Sequence, residues 1–279
     1  MKDYGWKYYN RALIPNCAPD EIPNVEFIMD ISNWKKIRGG TKALLSRFTT
    51  DFDCKKETEF WYCVKDQKFD ISELNSKKRY EINKGNKNFE IKRINAEEYK
   101  NDLLEIQIKA FLAYPEKYRP KVNKEKFLEE TKKWDKYNVY GAFEKEKNKL
   151  CGYALVSLQG KCYNFNVLKT IPDYEKKAIN AAVVNGILQD INEKIEEGYY
   201  ICDGSKTISH ETHFQDYLEK YFNFRKAYCK LNIIYKPQIK IFIDILYPFR
   251  KLLLRFDNNG KIHNLNSLLK MEEIKRNCI

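Results

Sequence analysis

The sequence predicts an α/β protein (α+β mixed) in which a mixed, mostly antiparallel sheet is flanked by helices, with a smaller N-terminal lobe. Three observations predict it. From residue 96 the pattern reads helix, helix, three strands, helix, strand, helix, strand. The 279 residues are 43% hydrophobic and 14% aromatic, enough to build a buried core. Gly and Pro number only 11 and 8, which argues against linker-rich and many-stranded loop architectures.

Each element has its own warrant. Pro15, Pro19 and Pro23 punctuate a loop, after which Val25-Glu26-Phe27-Ile28-Met29 reads as a strand. Gly39-Gly40 then opens a helix over 42–48. The aromatic run 60–64 (FWYCV) reads as a buried strand. Ser76 caps a charged helix that should stop at Gly85, and 89–94 alternates as a strand. Apolar spacing predicts helices over 97–113 and 127–134. Strands follow over 139–144, 150–158 and 162–168, then a long helix over 174–195 and a strand over 199–202. A helix over 212–222 and a strand over 227–235 complete the core pattern. The strand–helix–strand crossover predicts parallel strands, with a crevice where their ends part. Residues 1–95 read as an N-terminal lobe, 96–236 as the main domain and 237–279 as a basic amphipathic helical tail.

The net charge is +12, from 51 Lys+Arg against 39 Asp+Glu. A basic balance fits nucleic acid, anionic membrane or phosphorylated ligands. Dispersed lysines such as those in KEKNK (145–149) equally fit a solvated face. The eight Cys form no C-x-x-C pair, so reduced thiols in a cytoplasmic protein are the simplest account. The N-terminus lacks a signal-peptide core, and no apolar run reaches the ~18 residues of a membrane span. The expectation is a soluble cytoplasmic protein, with peripheral membrane contact left open.

Three stretches, in order, carry a family resemblance. They are LNSKKRYEINKG (74–85), VLKTIPDYEKKA (167–178), and Asp203-Gly204-Ser205 followed by FQDYLEKYFNFRK (214–226). Together they resemble the GNAT-like N-acyltransferase superfamily, and more narrowly the Fem-type (FemAB-like) acyl and aminoacyl transferases, over about residues 60–235. The resemblance implies a GNAT-like fold and transfer of an acyl or aminoacyl group from an activated donor to an amine. It implies acyl-CoA as a co-substrate, with a charged tRNA as the other donor, and an amino sugar or cell-envelope precursor as acceptor. Val167, Tyr174, Lys176 and Lys177 fall at the donor-binding turn; Tyr163, Phe165, His213 and Tyr221 fall where substrate would lie. The turn departs from the family pattern. Its helix start, Glu175-Lys176-Lys177-Ala178-Ile179-Asn180, lacks the glycines whose backbone cradles a pyrophosphate. Asn223 stands where the family has Gly, the next-best residue for a left-handed helix exit.

Asp203, His210 and Glu211 are the candidate catalytic residues. They follow the carboxyl end of a predicted parallel strand, where a carboxylate or imidazole could take a proton from an attacking amine. The plainer readings are a turn residue for Asp203 and a helix start, capped by Ser209, for His210-Glu211. His210 and His213 stand three apart, not the four of a zincin helix, so no metal is expected. Lys77, Lys78, Arg79 and Lys84 form a basic face, either solvated or contacting phosphate or RNA. Residues 238–257 mix apolar side chains with Lys240, Arg250, Lys251 and Arg255; they either pack on the body or lie on an anionic membrane. A binding module for nucleic acid or membrane is the alternative to an enzyme.

Overall fold

The computed structural model describes residues 4–114, 116, 119–208, 213–257 and 260–278. Strands β1 (Trp6–Tyr9) and β2 (Ala12–Pro15) are followed by helix α1 (Val25–Met29), β3 (Leu45–Thr50), β4 (Phe60–Lys65), α2 (Ser76–Asn88) and β5 (Phe89–Arg93). Then come α3 (Lys100–Leu112), α4 (Lys124–Thr131), β6 (Asn138–Glu144), β7 (Lys149–Gln159), β8 (Cys162–Thr170), α5 (Ile179–Glu196) and β9 (Tyr200–Ser205). The chain ends with α6 (Phe214–Phe222), β10 (Arg225–Tyr235), α7 (Pro237–Leu246), α8 (Arg250–Leu253) and α9 (Gly260–Asn277).

Two compact units result. The first comprises Met1–Val64, Gly204–Asp216 and Arg225–Ile279; the second comprises Lys65–Asp203 and Tyr217–Phe224. This division differs from the chain-order one into 1–95, 96–236 and 237–279. The C-terminal segment joins the N-terminal residues because Ile243, Leu269, Ile274 and Cys278 share one core with Leu45, Leu231, Ile233 and Tyr235. Burying that apolar surface is what places the tail.

In the second unit the strand order is β9-β8-β7-β6-β5, antiparallel except for β8 with β9. Period-2 alternation gives each face its own helices. Val139, Tyr153 and Leu155 pack with Leu103 and Ile106 of α3. On the other face the Tyr140 hydroxyl donates to Asp190 of α5 at 2.5 Å. Asn192 of α5, buried, clasps the backbone of Phe69: its Oδ1 accepts from the Phe69 N–H and its Nδ2 donates to the Phe69 carbonyl, both at 2.9 Å. In the first unit the order is β1-β2-β3-β10-β4, with β2 and β3 parallel.

Five sequence expectations change. Residues 25–29 form a helix, because Asn24 caps it by accepting from the Phe27 N–H at 3.1 Å. The expected helix over 42–48 is largely strand β3, held in register from Leu45↔Tyr235 to Thr50↔Lys230. Asn75, not Ser76, caps α2, accepting from Lys78 N–H at 3.0 Å. That helix also runs past Gly85. A Cβ at Gly85 would lie 2.5 Å from the Ala178 carbonyl oxygen and 2.8 Å from the Ala182 nitrogen, so this glycine permits close helix approach instead of ending the helix. The long helix starts late: Pro172–Lys177 is a 3-10 turn, and Ala178 takes φ 61° before α5 begins.

Candidate functional site

Strands β8 and β9 flank the crossover helix α5 and run parallel, as expected. Their register holds for only three pairs, Cys162↔Tyr200, Tyr163↔Ile201 and Asn164↔Cys202. Beyond Asn164, β8 stays paired with β7 as far as Thr170. The cause is local. On the β7 side Val156 opposes Phe165 and Leu155 opposes Val167, leaving Asn166 as the extra residue of a β-bulge. The Asn166 side chain covers the break by accepting from the Ser157 N–H at 2.9 Å. A bulge bends and twists the strand that carries it. The β8–β9 register ends at Asn164 and Cys202, after which Phe165 to Leu168 follow on β8 and Asp203 on β9. The sequence predicts this parallel pair, and it does not single out Asn166.

The turn leaving β8 is built against a buried acid. Lys177 Nζ meets Glu144 Oε1 at 2.5 Å, and that carboxylate is only 3% exposed. The Tyr174 hydroxyl donates to Glu144 Oε2 at 3.4 Å. The hydrogen bond from Lys177, and then its charge, holds the Glu144 carboxyl below the usual carboxylate range. The same hydrogen bond raises the Lys177 ammonium, and the Tyr174 hydroxyl is raised first by its bond to the Cys151 thiol and then by burial. Lys177 and Tyr174 therefore neutralise and hydrogen-bond a buried acid of β6. Lys176 is the cation of this turn with no ion pair among the described residues. Glu144 is not singled out by the sequence, since an acid ending the run 139–144 reads as the end of a strand.

The other candidates lie as follows. Tyr163 is buried, its ring 5.9 Å from that of Tyr199, and Phe165 is buried with it. Val167 packs against the core formed by α3, β6 and β7. Asp203 sits partly exposed near the end of β9, ahead of Gly204 at φ 85°. His213 is exposed, its Nδ1 3.7 Å from Asp216. Tyr221 stacks on Tyr217 with ring centroids 5.0 Å apart. Asn223 has φ 54°, the left-handed exit its position called for. His210 and Glu211 lie outside the described residues. Among the described residues no cluster of His, Cys, Asp and Glu could hold a metal ion.

The segment 237–256 does two things at once. Ile243 is buried, and Ile239, Leu246, Tyr247 and Leu253 pack against the same core. Yet seven of the fifteen large apolar side chains exposed among the described residues fall here: Ile241, Phe242, Ile245, Phe249, Leu252, Leu254 and Phe256. Such clustering is unusual on a solvated surface. Among the described residues no helix is long and apolar enough to cross a membrane.

No family model and no curated protein matches the chain. Solved structures do. The C-terminal domain of a protein described as a lysylphosphatidylglycerol synthetase from Agrobacterium fabrum aligns with TM-score 0.50 at 10% identity, over 82% of this chain and 79% of that one. L-PGS from Bacillus licheniformis aligns with TM-score 0.50 at 11% identity, over 86% and 83%. A conserved protein of unknown function from Bacteroides thetaiotaomicron aligns with TM-score 0.50 at 11% identity, over 80% and 78%. At these identities the likeness concerns the fold. None of the three is described as Fem-type, so the narrower resemblance gains nothing from them. The chain has a GNAT-like α/β fold, shared with the C-terminal domain of a lysylphosphatidylglycerol synthetase.

Proposed function

We propose that the chain is an acyltransferase that moves an acyl or aminoacyl group from an activated donor to an amine acceptor such as an amino sugar or cell-envelope precursor. The observation that carries this reading is the parting of β8 from β9 after Asn164 and Cys202. A gap between two strands offers backbone groups of one edge to an extended donor arm. Backbone N–H groups aimed at the donor carbonyl are the largest catalytic contribution such a site can make. In the transfer, the acceptor nitrogen bonds to the acyl carbon while the bond to the leaving group breaks. The amine proton passes to a base and then to the leaving thiolate or ribose oxygen. Asp203, at the open end of the gap, is the base candidate among the described residues.

The turn bears on the donor class. With Lys177 and Tyr174 occupied by Glu144 and no glycine from 167 to 178, the turn offers a pyrophosphate only Lys176 and the first N–H groups of α5. This supports an aminoacyl donor such as a charged tRNA over acyl-CoA. The resemblance in fold to a lysylphosphatidylglycerol synthetase domain supports the same class. The exposed stripe of 241–256, with Lys251 and Arg255 on the same segment, supports peripheral contact with an anionic membrane.

The test is transfer by the purified chain. Charged tRNA and acyl-CoA are each supplied with amine acceptors, alone and with anionic vesicles. Product formed from either donor, and lowered at least tenfold by Asp203→Asn, supports the reading. No product from either donor, with neither raising the melting temperature, removes it. The binding-module alternative then stands if vesicles or RNA bind with a steep salt dependence.

A further inference from the structure

Arg47 lies on β3, on the face that packs against Leu231 and Ile233 of β10 and against α9. Its neighbours along that face are Leu45 and Thr49. A guanidinium has five donors and stays charged. Among the described residues, its one hydrogen bond is from Nη1 to the Met271 sulfur at 3.7 Å, a weak acceptor. Burial lowers the Arg47 pKa, and the groups that oppose this are the phenols of Tyr62 and Tyr9, not a carboxylate. A charge kept in such surroundings without a counter-ion is costly to the fold.

Arg47 lines two cavities of the first unit, of about 200 and 890 Å³. The larger lies among the β1–β2 hairpin, β3, residues 205–208 and α9. Arg11 and Lys206 also line it, and no Asp or Glu does. Lys206 Nζ donates to the Glu59 carbonyl at 2.9 Å, and neither Lys206 nor Arg11 has an acidic partner among the described residues. Arg11 occupies the second position of the two-residue hairpin turn. Its φ of 62° and that of 45° at Asn10 are left-handed values that glycine adopts more readily. The hairpin thus holds an arginine in a disfavoured conformation at the cavity wall. Tyr9, Thr207 and Asn264 add neutral hydrogen-bonding groups. The smaller cavity contains one carboxylate, Glu21, whose Oε2 accepts from the Ala18 N–H at 2.7 Å.

We infer that the larger cavity is a binding site for a phosphate-bearing small ligand, with Arg47 at its floor and Arg11 and Lys206 at its walls. Three cations without an acid, in a space of ligand size, suit a phosphate ester better than a neutral or cationic molecule. The inference goes beyond the transfer reaction and does not depend on it.

The test titrates the full chain with inorganic phosphate, glycerol 3-phosphate and a short-chain anionic phospholipid below its micellar concentration, following binding by calorimetry and melting temperature. Saturable binding is expected, weakened at least tenfold in Arg47→Met and several-fold in Arg11→Gln. The Arg47→Met protein should melt no lower than the parent without ligand, which separates a lost site from a damaged fold. Should Arg47→Met fail to fold, Arg11→Gln, on the exposed hairpin, carries the test. Tightest binding of the phospholipid identifies a lipid headgroup as the source, and equal binding of all three identifies phosphate itself; either supports the site. Absence of saturable binding, or binding that both variants leave unchanged, overturns it.

Discussion

Lys177 and Arg47 are both cations set against a packed core, and the chain treats them in opposite ways. Lys177 meets a carboxylate that is 3% exposed, with Tyr174 completing the arrangement. Arg47 meets a methionine sulfur. The first arrangement is closed: each charge has its partner, and removing either leaves the other exposed to a poor environment. The second is open, and it opens onto a cavity that two further cations line. The difference separates charge that builds the fold from charge left available to a ligand.

Four substitutions set the two cations against each other. The framework around the Lys177 turn depends on α2 pressing against Ala178, so Gly85→Ala should have the largest effect on stability. The added methyl would meet the Ala178 carbonyl oxygen at 2.5 Å, and such overpacking costs about 1–3 kcal/mol in urea unfolding. A loss within error would show that α2 yields freely there.

Lys177→Met should also destabilise, with a pH signature. The Glu144 carboxyl is depressed in the folded state, so its contribution is present above the ordinary glutamate value of about 4.3 and is lost as pH falls through the folded value. Lys177 is raised, so its contribution is present below about 10.4 and is lost as pH rises through its folded value. Urea midpoints of parent and variant should therefore differ at pH 7 and converge under strong acid. A difference independent of pH would mean that the pair acts through packing alone.

Arg47→Met should behave oppositely, leaving the ligand-free melting temperature unchanged or raised by a few degrees. Replacing a poorly paired buried charge by an apolar side chain of similar length is often neutral or stabilising. A fall of several degrees would place Arg47 with Lys177 among the structural cations. The smallest effect is expected at Asn223, whose φ of 54° glycine adopts readily: Asn223→Gly should shift stability by no more than about 0.5 kcal/mol. A larger loss would show that the asparagine side chain itself is needed.

Much of the second unit was legible in the sequence because its signals are local. The alternation of 139–144 and 150–158, the apolar face of α5 and the exit at Asn223 each follow from residue type and spacing. The parallel β8–β9 pair followed from the crossover rule. The first unit was less legible because its decisive contacts are distant in sequence. Residues 45–50 are strand because β2 on one side and the distant β10 on the other supply their partners. The role of Gly85 was misread for the same reason: a glycine that admits α5 looks, in the sequence, like one that ends a helix. At the candidate site, the parallel pair and the position of Asp203 near the end of its strand came from pattern, whereas Asn166 and Glu144 did not. A bulge and a buried acid are visible only once register and burial are known.

Hydrogen–deuterium exchange of the full chain, with and without a saturating donor (a charged tRNA carrying a stable amide link, or acyl-CoA), tests the reaction site most directly. Slowed exchange is expected, concentrated in amides of 165–168 and at 203, where the β8–β9 register has ended. Unchanged exchange there, with protection appearing elsewhere in the chain, would contradict it.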